Sequence, residues 1–128
     1  MFDPDKLVGV HTLEEIKALP QDTDGIFVRM LTDEKVQAIV ARCPTLRVLI
    51  VDGNNRTTDA SLPQLKTLQR LESLDLEWSA VTDAGLLHIV EMPSLTWVDL
   101  TFSEGVTLKG LKKLRDAKPG LEIATQFF

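Results

Sequence analysis

The feature that most constrains this chain is that it repeats itself every 24 to 26 residues. Leu46, Leu71, Leu95 and Leu121 are separated by 25, 24 and 26 residues. Thr32, Thr58, Thr82 and Thr107 follow the same step, separated by 26, 24 and 25, and the first three are each followed by Asp. After Leu46, Leu71 and Leu95 the apolar residues alternate, as in Leu71-Glu-Ser-Leu74-Asp-Leu76 and Leu95-Thr-Trp-Val98-Asp-Leu100. Alternation of that kind turns one face of a strand into a core. A strand and a helix in about 25 residues cannot bury an apolar face alone. Stacked copies can, so the pattern favours an α/β fold of successive, mutually covering units.

Each unit carries its own punctuation. A Thr after the strand is placed to cap a helix by accepting a backbone N–H. Helical spacing follows in Ala84, Leu86, Leu87, Ile89 and Val90, and in Leu108, Leu111 and Leu114. Pro44, Pro93 and Pro119 stop the helices and return the chain to extended backbone. The first unit is degenerate: Ile26-Phe27-Val28 is its expected strand and residues 32–42 its helix, with Val36, Ile39 and Val40 inside. Upstream, Thr12-Leu-Glu-Glu15 is a capping box opening a short helix that ends at Pro20. Residues 1–25 are expected to cap the first strand, and 26–128 to hold four or five parallel strands and a C-terminal cap. Gln21 to Gly25 reads as a turn, and Gly53-Asn54-Asn55-Arg56 as another.

The tract from Leu71 through Leu74, Leu76, Val81, Thr82-Asp83-Ala-Gly85 to Leu86 resembles the leucine-rich repeat family, in its cysteine-containing and ribonuclease-inhibitor-like branches. Similar tracts occur in F-box substrate receptors and in bacterial repeat proteins. The resemblance covers about residues 26 to 126. It implies a short solenoid with parallel strands on a concave face and helices on a convex face. The chain departs from the pattern at Ser79 and Ser103, where Asn or Cys is usual, at Leu108, which replaces the Asp of Thr-Asp, and at Pro63 in a helix lacking the glycine. The ladder that stitches such units together is therefore expected to be weak.

In that family the strand positions turned away from the core form the concave surface. Alternation assigns Ile50, Asp75 and Asp99 to one lateral row and Asp52, Glu77 and Thr101 to the next, with Trp97 beside them. Phe27 and Arg29 extend the rows toward the N-terminus, and Trp78 and Phe102 stand at the rim. Neighbouring parallel strands lie about 4.8 Å apart, so these carboxylates are expected close together. An acidic face with aromatic anchors suits a basic protein partner. A second candidate surface is the basic stretch Lys109, Lys112, Lys113 and Arg115 on the convex side.

Other classes find little support. The chain has 14 basic and 19 acidic residues, net −5, which disfavours phosphate backbones and so nucleic acid. Apolar residues at 44% and charged ones at 26% suit a folded globular protein. No apolar run nears the ~20 residues of a membrane span, and the N-terminus lacks a secretory pattern, so a cytoplasmic location is expected. The one cysteine, Cys43, reads as a buried thiol, and His11 and His88 have no metal-site spacing. Asp75 beside Asp99 lacks a nucleophile, so no catalytic residue, cofactor or metal is assigned. Phe127 and Phe128 are expected to pack on the last turn. The expected function is a non-catalytic interaction module, an adapter or complex subunit. The alternatives are a self-associating structural protein and a substrate receptor of the ubiquitin-ligase type.

Overall fold

The computed structural model describes residues 2–128. Among them, six strands form one parallel sheet in chain order: β1 (Leu7–Val10), β2 (Gly25–Thr32), β3 (Val48–Arg56), β4 (Ser73–Asp75), β5 (Trp97–Asp99) and β6 (Glu122–Ala124). Each of the first five is followed by a helix: α1 (Leu13–Lys17), α2 (Asp33–Arg42), α3 (Leu62–Leu65), α4 (Asp83–Val90) and α5 (Leu108–Ala117). Sequential parallel order means that each helix returns the chain to the edge of the strand just made.

Register explains the core. Ile26, Leu49, Leu74 and Val98 are direct cross-strand partners and have no exposed surface. Leu46, Leu71, Leu95 and Leu121, the leucines of the sequence period, are all buried beside them. Helices close the other side through Ile16, Val36, Ile39, Leu65, Ile89 and Leu111. Thr12, Thr32, Thr58, Thr82 and Thr107 each accept a backbone N–H at a helix or 3-10 turn start, and Thr12 with Glu15 completes the capping box. Cys43 is buried, and burial pushes its thiol pKa up.

The aspartates of Thr-Asp join one unit to the next. Asp33 accepts Thr58 N–H at 2.9 Å and Thr58 Oγ1–H at 2.6 Å. Asp59 treats Thr82 in the same way, at 2.8 and 2.5 Å, and Asp83 treats Thr107, at 2.9 and 2.6 Å. Charge-assisted bonds of this length are the stronger kind. Leu108 stands where the three preceding units have this Asp. The glycines have the same origin: a Cβ on Gly85 would meet the Asp59 carboxylate, and one on Gly110 the Asp83 carboxylate. Ser61 stands at the corresponding place in the unit with Pro63, and its hydroxyl donates to Asp33 at 2.5 Å.

A second ladder runs inside the strand-side turns. Asn55 donates to the Asp75 carbonyl at 3.2 Å, the Ser79 and Ser103 hydroxyls lie 3.1 Å apart, and Ser103 Oγ donates to the Leu76 carbonyl at 2.6 Å. Serines thus carry one ladder at these turns and aspartates supply another.

Some expectations are corrected. The strand count is six, because residues 7–10 form β1, paired with β2 from Leu7↔Gly25 to Val10↔Val28. Residues 1–25 therefore hold a strand of the sheet as well as a helix. Gly53 to Arg56 is no turn: β3 runs through it, and Asn55 and Arg56 pair with Leu31 and Thr32 after a register shift. Leu87 and Leu108, named with the helical spacing, are exposed. A helix buries only one stripe, and each lies to the side of the stripe formed by Leu86 and Ile89 or by Leu111 and Leu114. Phe127 and Phe128 remain about half exposed, with the Arg115 guanidinium 3.8 Å from the Phe128 ring centre.

Candidate functional site: an acidic and aromatic sheet face

The non-core positions of the strands come together as alternation requires. Phe27 pairs with Ile50, Asp75 with Asp99, and Asp99 with Ala124. Ser73, Trp97 and Glu122 form the adjoining row. Asp52 is exposed, and Ile50, Glu77, Trp97, Asp99 and Thr101 are half-buried. Carboxylate oxygens of Asp75, Glu77 and Asp99 all lie within 4.8 Å of one another.

Asp75 does not belong to the open surface: it is only 5% exposed. Its Oδ2 accepts Val51 N–H at 3.1 Å and its Oδ1 accepts Glu77 N–H at 3.1 Å. The β3–β4 ladder has paired only Val48↔Ser73 and Leu49↔Leu74 before the side chain takes over. Asp75 therefore substitutes for backbone where β3 follows β2. Burial raises its pKa, with the Asp99 charge adding to the rise against the two N–H donors. Burial also raises Glu77, and Asp75 and Asp99 push it further. The face accordingly holds a negative charge that acid titrates earlier than it would isolated carboxylates.

Trp78 and Phe102 supply the apolar part. They are 60% and 44% exposed, and their ring centres lie 4.7 Å apart with the planes tilted by 32°. Both follow the strand row directly, Trp78 after Glu77 and Phe102 after Thr101. Both also have left-handed backbone, with φ of 57° and 55°. That conformation recurs once per unit, at Met30 (56°), Gly53 (82°), Trp78 and Phe102. Glycine takes it freely, whereas other residues incur about 1–2 kcal/mol. Two large aromatics thus occupy a place where folding favours glycine, and they present their rings to water.

No protein-family model and no curated protein matches this chain. What the face can bind follows from its own residues.

Arg29 stands beside Asp52 in this face and Arg56 lines the hollow next to Trp78 and Phe102, whereas the lysine-rich cluster lies elsewhere. Lys109, Lys112, Lys113 and Arg115 are exposed on α5. Lys118, in the same run, is already engaged, donating to the Met92 carbonyl at 2.8 Å. Sequence reasoning missed the structural role of Asp75 and the strain at Trp78 and Phe102. Alternation alone cannot distinguish a surface carboxylate from one that replaces a backbone acceptor. The recurrence of Gly53, Trp78 and Phe102 at one step was the signal available for the strain.

Proposed function

We propose that the chain is a short solenoid of the leucine-rich repeat type and works as a non-catalytic protein interaction module. Its acidic and aromatic face binds a protein segment carrying Lys or Arg. The observation that carries this reading is the stacked, exposed Trp78–Phe102 pair on left-handed backbone beside Glu77. Exposed aromatics and unfavourable backbone both work against folding, so a binding role accounts for their presence. The neighbouring carboxylates select a cationic partner and steer its approach.

The test is a Trp78→Asn, Phe102→Asn double variant on an array of Lys- and Arg-bearing peptides. Asn tolerates left-handed backbone, so relief of strain offsets the lost stacking of about 0.5–1.5 kcal/mol. Stability is expected to change by less than about 1 kcal/mol while peptide binding falls by roughly tenfold or more. Wild-type selection of acidic or neutral peptides, or equal binding by the variant, would remove this face as the site.

A second reading, self-association, has its own supporting observation. Among the described residues β6 pairs with β5, and the backbone of its other edge is unpaired beside the exposed Phe127 and Phe128. Sedimentation at increasing concentration separates the two readings, since only self-association raises the mass.

A further inference from the structure

On the helical side of the molecule, α4 and α5 leave an apolar groove of about 460 Å³ between them. Ala84, Leu87 and Val90 of α4 form one wall, and Leu114 and Ala117 of α5 contribute to the other. Leu87 is the most exposed of the large apolar side chains, at 69%. Lys109 and Lys113, one helical turn apart, border the groove on the α5 side. Among the described residues neither lysine has an ion-pair partner. The one carboxylate at the groove, Asp83, is taken up by Thr107.

We infer that this groove docks an amphipathic helix of a partner protein, with an apolar ridge flanked on one side by Asp or Glu. Three features select that occupant. Ala84, Leu87 and Val90 recur at helical spacing over about 9 Å, somewhat under the ~11 Å of two turns of a partner helix. The groove is concave, which receives a ridge and meets a flat bilayer poorly. The free charges on its wall are cationic, which specifies acids on the incoming helix. Symmetric pairing of two copies through this groove would set Lys109 and Lys113 against themselves. The groove uses none of the residues of the acidic and aromatic face, so the inference stands or falls independently of that proposal. Together the two surfaces would let one short chain bridge a basic and an acidic partner.

The experiment is selection from a displayed library of two- to three-turn helical peptides with randomised side chains. The expected winners carry apolar residues at i, i+3 or i+4 and i+7, bordered by Asp or Glu. Their binding should fall roughly tenfold with Leu87→Glu and with the Lys109→Glu, Lys113→Glu double variant. Changing the peptide's acids to Lys should restore binding to the double variant. The Trp78→Asn, Phe102→Asn variant should bind these peptides as wild type does. All substituted positions are exposed, and thermal melts check that each variant is folded. Enrichment of peptides without acids, or indifference to Leu87→Glu, overturns the inference. So does binding to phosphatidylserine–phosphatidylcholine vesicles that the same variants abolish without any peptide enrichment, which assigns the groove to a membrane. A dimer dissolved by Leu87→Glu likewise overturns it and assigns the groove to a second copy.

Discussion

Thr57 is a buried residue whose hydroxyl lacks a hydrogen-bond partner among the described residues. The same core column holds Val81 and Val106 in later units. A buried, unsatisfied hydroxyl costs about 1–3 kcal/mol, and Val has the same shape without it. Thr57→Val should therefore leave stability unchanged or raise it by about 1 kcal/mol in urea denaturation; a clear loss would mean the hydroxyl finds a partner. Gly85 gives the opposite case. Helix propensity alone favours Gly85→Ala by about 1 kcal/mol. The new Cβ would press on the Asp59 carboxylate, which two bonds to Thr82 hold in place. Overpacking of that kind costs about 1–3 kcal/mol, so the variant should be destabilised. Gly120→Ala, with nothing within 4 Å of the added carbon, is the control and should melt as wild type does.

At the scale of elements, the aspartate ladder makes the joints between units sensitive to acid. Burial opposes ionisation of Asp33, but the donors on Ser61 and Thr58 outweigh it and hold its pKa below the ordinary carboxylate value. A lowered folded-state pKa means stability that is present above the unfolded value, about 3.9, and lost as pH falls through the folded one. Asp33→Asn should accordingly be least stable relative to wild type near neutral pH. The gap should narrow at about pH 3, measured by urea denaturation at both values. A gap that does not depend on pH would mean that the ladder works through geometry and not charge. The ladder was partly legible in the sequence. The Thr-Asp recurrence was plain and the capping role of Thr followed from it. The reach of each Asp to the next unit's Thr was not, because a bond across 23 to 25 residues depends on how the units stack.

For the whole molecule, titration of the sheet face sets the pH response of binding. Glu77 and Asp75 take up protons at higher pH than ordinary carboxylates because burial and their neighbours disfavour the charged forms. Acidification therefore removes negative charge from the sheet face before it reaches isolated acids. Affinity for a Lys- or Arg-bearing peptide should fall as pH drops from 7 toward the carboxylate range, more steeply for wild type than for Glu77→Gln. Titration by fluorescence anisotropy at constant ionic strength checks this, and a flat profile would exclude carboxylate recognition.

By itself the sequence determined the period, the strand cores of the later units, the caps and the buried column Ile26, Leu49, Leu74 and Val98, but not β1. These depend on local spacing: two residues per strand repeat, 3.6 per helical turn, and one leucine per unit. It also brought Asp75, Glu77 and Asp99 to one face. Tertiary structure decided what those positions do. Asp75 became a backbone acceptor because β3 continues along β2 and leaves Val51 N–H to be satisfied. Asn55 and Arg56 entered a strand because β2 was there to pair with them. Leu87 was left in water because α5 packs beside it without covering it. Each outcome turns on a partner 20 or more residues away, and the free energy of such a contact exists only once the units have stacked.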